Sequence, residues 1–228
     1  MKKNIRQYIQ DCRDFLQSCF FPIYCLGCKQ EGQGICNDCF QEISFQPYSL
    51  YEQKQDRQSA LSNHWAATNF SDELIQKLIH TLKYKQQHTL KQCIKKIVHR
   101  WFLQYPNMFS NIDIVCPIPL HRKRKLERGF NQSHIIAQCV SREYGIMLQQ
   151  VCKRVVQTQQ QAGLSRLDRL RNLQNAFEVD KKRSIQGNIV LLVDDVFTTG
   201  ATMESCAHTL MESGAKAVYG FTLARSFL

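Results

Sequence analysis

The order of apolar runs and amphipathic stretches predicts an α/β protein, a parallel sheet with helices on both faces, preceded by a small four-cysteine zinc finger. Three observations predict it. Ile189-Val190-Leu191-Leu192-Val193 is apolar at every position, as a strand covered on both faces must be. Short apolar runs of this kind alternate with segments whose apolar residues recur at helical spacing. Two Cys-x-x-Cys pairs, Cys25/Cys28 and Cys36/Cys39, stand together near the start. A chain of 228 residues with 43% hydrophobic content suffices for one full core and a small accessory module.

In chain order, Ile5, Tyr8, Ile9, Cys12, Phe15, Leu16 and Cys19 form a weak helical pattern that stops near Pro22. The cysteine pairs follow, and Ser44 to His64 is rich in Gln and Ser with few aliphatic residues. This divides the chain into an N-terminal helix and finger (1–45), a linker (46–66) and an α/β domain (67–228). Leu74, Ile75, Leu78, Ile79 and Leu82 mark one amphipathic helix, and Leu90, Ile94, Ile97, Val98 and Trp101 mark a second. Asp113 to Pro119 reads as a short buried strand ended by prolines. A basic loop comes next, then a helix from about Asn131 to Tyr144, with a further strand expected in Met147 to Cys152. After a polar span, Arg154 to Asn175, the pattern gives a strand at Asn188 to Val193, a helix from near Thr199, and a last strand at Ala217 to Leu223.

A net charge of +11 points to phosphate-bearing partners: nucleotides, nucleic acid or an anionic membrane surface. The first ten residues lack the apolar core of a signal peptide, and no stretch approaches the roughly 20 apolar residues of a membrane span. The expectation is a cytoplasmic protein without membrane insertion, its eleven cysteines reduced. On that footing the paired cysteines Cys25, Cys28, Cys36 and Cys39 read as a closed, structural Zn²⁺ site, with two disulfides as the alternative. The seven residues between the pairs make a compact finger whose folding depends on metal. Cys12, Cys19, Cys93, Cys116, Cys139, Cys152 and Cys206 read as buried small apolar residues.

The strand at 189–193 ends in two carboxylates, Asp194 and Asp195, and Phe197-Thr198-Thr199-Gly200-Ala201-Thr202 then opens a helix. Ligands of parallel sheets bind at such carboxyl ends, where backbone N–H groups and hydroxyls can converge on a phosphate. Gly200 leaves room for it, and acids beside a phosphate cradle suit a ligand with sugar hydroxyls. The basic run His121, Arg122, Lys123, Arg124, Lys125 and Arg128 leaves the same edge of the sheet.

The run Val193 to Thr202 resembles the phosphoribosyl-pyrophosphate (PRPP) signature of type I phosphoribosyltransferases. The resemblance implies that Asp194 and Asp195 hold the ribose hydroxyls, that Thr198, Thr199, Gly200, Ala201 and Thr202 hold the 5′-phosphate, and that Mg²⁺ accompanies the ligand. It also implies that Pro119, Leu120, His121, Arg122, Lys123 and Arg128 meet the pyrophosphate. Over nearly the whole chain, the finger, Leu82-Lys83-Tyr84, Pro117-Ile118-Pro119-Leu120, Arg128-Gly129-Phe130-Asn131-Gln132 and the DDVFTTGAT loop resemble the ComF family, reinforced by Arg154, Thr158, Gln161, Leu164, Arg169, Asn172 and Phe177. That likeness implies assistance to single-stranded DNA import across the inner membrane during natural transformation, with a helicase-like partner. Phe130, Trp101 or Tyr84 would stack on bases if exposed. An active phosphoribosyltransferase acting on a nitrogen acceptor is the alternative, and a sensor whose DNA affinity follows PRPP is a third reading.

Overall fold

A computed structural model describes residues 23–45, 48–49, 59–84, 88–156, 176–180 and 183–226. The expected helix at 5–19, most of the linker, and Thr158, Gln161, Leu164, Arg169 and Asn172 lie outside the described residues, as does the side chain of Tyr84.

The elements, in order, are α1 (Asn37–Gln41), β1 (Tyr48–Ser49), β2 (Asn63–Asn69), α2 (Glu73–Tyr84), α3 (His88–Gln104), β3 (Ile114–Pro117), α4 (Arg122–Arg128), α5 (Gln132–Tyr144), β4 (Met147–Leu148), β5 (Cys152–Arg154), β6 (Phe177–Val179), β7 (Ile189–Phe197), α6 (Ala201–Glu212) and β8 (Ala217–Arg225). Six strands form one sheet in the order β1-β2-β8-β7-β3-β4, parallel throughout except for β1. β7 is central, with Val190 to Val193 fully buried between β3 and β8. The expected α/β class is therefore observed, and its continuous apolar strand sits where burial on both faces requires one.

Two apolar clusters cover the sheet. Leu191, Val193, Phe221 and Leu223 pack on one side with Ile75, Leu78, Ile79 and Leu82 of α2, Ile94, Ile97, Val98 and Trp101 of α3, and Ile135, Ile136 and Val140 of α5. Ile35 and Ile43 from the cysteine segment join this same cluster. On the other side Val190, Leu192 and Val218 meet Met203, Cys206, Ala207 and Leu210 of α6, together with Cys152 and Phe177 of the antiparallel pair β5–β6. Among the described residues no helix is long and apolar enough to cross a membrane.

Several elements differ from the sequence expectation. β2 crosses the point where the linker was expected to give way to the domain, and two of its polar residues, His64 and Thr68, are buried with hydrogen bonds to a distant strand. Thr68 Oγ1 donates to Leu223 O at 2.6 Å, and His64 Nε2 lies 3.1 Å from Thr222 Oγ1. The basic loop is a helix, α4, whose Lys, Arg, Leu and Glu are good helix formers. His121 caps its start by accepting from Lys123 N, and Gly129 (φ 73°) closes its end. The strand expected at Met147 to Cys152 is broken: Met147 and Leu148 pair with β3, after which Gln150 Nε2 donates to Pro117 O at 3.1 Å and to Cys152 O at 2.9 Å, turning the chain into β5. β7 continues through both acids to Phe197, because Asp194, Val196 and Phe197 remain paired with β8. Trp101 is fully buried and Phe130 is 8% exposed, so neither meets the condition of exposure for stacking on a base. Their rings serve the core: Trp101 packs on Tyr105 and Phe221.

Candidate functional site

The carboxyl ends of β7 and β3 and the first turns of α4, α5 and α6 meet at one edge of the sheet. β3 ends in prolines, and the loop after it is fixed by Asn131, whose Nδ2 donates to Ile118 O at 2.9 Å while its Oδ1 accepts from Ser133 N and caps α5. Two residues on, Ser133 Oγ donates to Asp194 Oδ1 at 2.7 Å. The segment Asn131-Gln132-Ser133 thus ties the end of β3 to the acid at the end of β7. Arg128 Nη1 donates to Gln132 Oε1 at 3.3 Å, which anchors the end of α4 to the start of α5.

Asp194 is half-buried at the strand end, and desolvation together with the charge of Asp195 pushes its carboxyl up to about 7. The Ser133 hydroxyl, the Asp195 amide and the Arg154 guanidinium pull the other way without cancelling that rise. A carboxyl poised near neutrality can hold a sugar hydroxyl, take part in binding a cation, or accept a proton. Asp195 is half-buried, and its Oδ1 accepts from Val196 N at 2.8 Å.

Beyond Phe197, Thr198 is exposed, Thr199 and Gly200 are half-exposed, and Gly200 (φ 76°) is the N-cap of α6. The loop rests on the Phe197 ring so closely that a Cβ on Gly200 would collide with it. Phe197 in turn stacks on the fully buried imidazole of His64, with ring centroids 4.0 Å apart, and the Arg225 guanidinium lies 5.8 Å from the Phe197 centroid. Burial and the charge of Arg225 hold His64 neutral, its pKa lowered to about 3. The Thr222 hydroxyl donates to Ala224 O at 3.0 Å, so it accepts from His64, which fixes the Nε2–H tautomer. The loop therefore stands on an aromatic floor that composition could not show.

The structure brings Asp194, Asp195, Thr198, Thr199, Gly200, Ala201 and Thr202 to a single strand-to-helix turn. Pro119 is buried, Leu120 and His121 are half-buried, and of the cations on α4 Arg124 and Arg128 are half-buried while Arg122, Lys123 and Lys125 are exposed. Sequence reasoning missed Ser133, His64 and the placement of Arg154. Cys152 and Arg154 share one side of β5, and Cys152 Sγ lies 3.2 Å from Cys206 Sγ of α6. Arg154 is thereby directed to the same edge, over the Phe177 ring and in electrostatic reach of Asp194 and Arg124.

The sulfurs of Cys25, Cys28, Cys36 and Cys39 all lie within 4.8 Å of one another, and Cys28 Sγ is 3.6 Å from Cys36 Sγ. Tetrahedral Zn²⁺ with bonds of about 2.3 Å requires sulfurs about 3.8 Å apart, so this donor set fits a metal ion. Burial opposes ionisation of Cys25, but the amides of Cys36, Cys28 and Gly27 bring it down to about 6, while hydrogen bonding with Cys36 and burial push Cys39 up to about 12. Of the other expected apolar cysteines, Cys93, Cys116, Cys152 and Cys206 are buried, Cys139 is partly so, and Cys12 and Cys19 lie outside the described residues.

No family model matches the chain. Among known proteins it is 27% identical over 226 residues to Competence protein F of Haemophilus influenzae, covering 91% of this chain and 99% of that one. It is 37% identical over 137 residues to Competence protein ComFC of Bacillus subtilis, covering 58% of this chain and about half, 54%, of that one. DNA utilization protein YhgH of Escherichia coli K12 is 32% identical over 158 residues, with 65% and 66% covered. Solved structures overlap it more loosely: a hypoxanthine phosphoribosyltransferase from Staphylococcus aureus at 14% identity, 60% of this chain and 74% of that one, TM-score 0.40, and a phosphoribosylpyrophosphate synthetase from Mycobacterium smegmatis at 16% identity, 56% and 33%, TM-score 0.31. With these relatives, one of them matched over 91% of this chain's length, the chain belongs to the ComF family.

Proposed function

We propose that this protein binds PRPP with Mg²⁺ at the carboxyl end of β7 and assists the import of single-stranded DNA during natural transformation, acting in the cytoplasm with a structural zinc in its four-cysteine finger. One observation carries the ligand assignment: Asp194, held by Ser133 at the end of β7, and its neighbour Asp195 lead directly into a small hydroxyl-rich turn that Gly200 bends into the N-terminus of α6. The acids suit ribose hydroxyls and the cation, and the turn presents N–H groups and hydroxyls to a 5′-phosphate. Arg124, Arg128 and Arg154 gather on the side where the pyrophosphate would lie. Bound Mg²⁺ would neutralise pyrophosphate charge. The role in DNA import draws on the names of the relatives and on a net charge of +11; a helicase-like partner belongs to the same reading.

The test is calorimetric titration of the zinc-loaded protein with PRPP and Mg²⁺ beside the Asp194→Ala, Asp195→Ala double variant. Binding in the wild type that vanishes in the variant supports the site; a wild type that releases no heat refutes it.

The state of Asp194 favours one second reading, an active phosphoribosyltransferase. A carboxyl near 7 can take the proton of an attacking nitrogen as pyrophosphate departs from the anomeric carbon. Absence of pyrophosphate release across a panel of nitrogen bases and amines would exclude it.

A further inference from the structure

α4 poses a physical problem. It is seven residues long and buries none of them, although a helix this short does not persist in water by itself. Five of its residues are cations against the single acid Glu127, and Arg122/Lys125, Lys125/Arg128 and Arg124/Arg128 set like charges at helical spacings that repel. Its caps, His121 and Gly129, hold it in place, but nothing in its own packing explains why these charges are gathered on a helix.

Its exposure divides it into two stripes. At 3.6 residues per turn Arg124 and Arg128 share one side, and these are the half-buried cations facing Gln132, Arg154 and the acidic strand end. Arg122, Lys123, Lys125 and Leu126 point away, all exposed, with Leu126 75% accessible. Among the described residues Arg122, Lys123 and Lys125 make no ion pair. The inner stripe stands beside the acidic strand end; the outer stripe faces solvent.

We infer that the outer stripe of α4, Arg122, Lys123 and Lys125 around Leu126, holds the phosphate backbone of single-stranded DNA. The inference rests on the DNA-handling reading above and gives it a surface. Charge complementarity selects the occupant: three exposed cations within one helical turn match a run of backbone phosphates, and Leu126 offers an apolar contact to a sugar or base face. An anionic membrane fits less well, because one exposed leucine is far from the broad apolar face by which an interfacial helix inserts.

The test uses the full, zinc-loaded chain, a fluorescein-labelled oligothymidylate of about 20 nucleotides, and the triple variant Arg122→Gln, Lys123→Gln, Lys125→Gln. At about 0.7 released counterions per contact, losing three contacts weakens binding about 100-fold near 0.1 M salt and makes the log–log salt dependence shallower by about 2. The three side chains are exposed, so the triple keeps the melting temperature of wild type and a loss of DNA affinity is not a loss of fold. A control triple on α3, Lys91→Gln, Lys95→Gln, Arg100→Gln, removes equal charge elsewhere and leaves DNA binding within a few-fold of wild type.

Wild-type DNA affinity in the α4 triple overturns the inference and leaves the DNA reading standing; a wild type that does not bind DNA overturns both. Equal loss in the α3 triple reduces the effect to overall charge and overturns the surface. Loss of binding to phosphatidylserine vesicles with DNA binding intact assigns the stripe to a membrane and also overturns it.

Discussion

Replacing Asp194 by Asn should make the protein more stable at pH 8 while destroying its ligand site. The folded carboxyl stands near 7 against a reference of 3.8. A raised carboxyl pKa means that the native state holds a proton which the unfolded chain releases, so stability falls as pH rises from about 4 to 7 and stays low above that window. At 1.36 kcal/mol per pKa unit, keeping this half-buried carboxylate ionised at pH 8 costs at most about 4 kcal/mol, and the cost shrinks below about 2 kcal/mol at pH 5. Asn is nearly isosteric and its Oδ1 can still accept from Ser133 Oγ, so it avoids the charge without leaving a cavity. For a chain of this size the gain corresponds to a melting temperature higher by up to roughly 10 °C at pH 8, shrinking as pH falls to 5. The assay is thermal unfolding of the zinc-loaded wild type and Asp194→Asn at both pH values, with PRPP calorimetry alongside. A variant no more stable than wild type at pH 8, or a gap that does not widen with pH, would refute the claim that a half-buried charge is retained there at the expense of stability.

Arg154→Gln removes a cation that favours the Asp194 carboxylate, so the Asp194 midpoint should move further up, read by carboxyl-carbon NMR; an unmoved midpoint would remove Arg154 from the site. Chelation of the finger should cost about 3 to 6 kcal/mol, because Ile35 and Ile43 lose their seat in the main cluster, and should lower the melting temperature of the whole protein and not of a separate small transition. Two independent transitions on removing the metal would refute that coupling. Gly200→Ala places a β-carbon against the Phe197 ring at a positive φ, so it should destabilise by a few kcal/mol and weaken PRPP at least 10-fold; Phe197→Leu in the same chain should recover part of the stability, and a double-mutant cycle with no coupling would dismiss the aromatic floor.

How much of this was legible depended on whether the physical cause was local. Ile189 to Val193 announced a central strand by composition, Asn131 announced the start of α5 by its capping chemistry, and the periodic leucines and isoleucines of α2 and α3 announced their buried faces. β2 was hidden because His64 and Thr68 look like solvent residues until Thr222 and the Leu223 carbonyl, more than 150 positions away, accept them into the interior. α4 was hidden because a run of cations reads as a solvated loop, and only the caps at His121 and Gly129 reveal the helix. The acid pair and the Thr-Thr-Gly turn were legible as one stretch of chain, since they are contiguous, and β7 leads through both acids into the turn before α6. Ser133, Arg154 and His64 were missed as parts of the site because each reaches it from another element.

The contacts at the sheet edge argue that the site is organised as one unit, through a single short segment. Asn131 holds the carbonyl of Ile118 and so fixes the loop before α4; its cap fixes the first turn of α5; and the hydroxyl of Ser133 in that turn fixes Asp194. Arg128, just before this segment, reaches Gln132 within it, so the inner stripe of α4 is aligned by the same residues that orient the acid. Removing the Ser133 hydroxyl should therefore act in two ways: it leaves the Asp194 carboxyl with one fewer donor, raising its pKa further, and it loosens the register between α4 and β7. Ser133→Ala should weaken PRPP binding most at neutral pH and least at pH 9, where Asp194 is ionised regardless. A loss of affinity independent of pH would separate the two effects and leave only the geometric one.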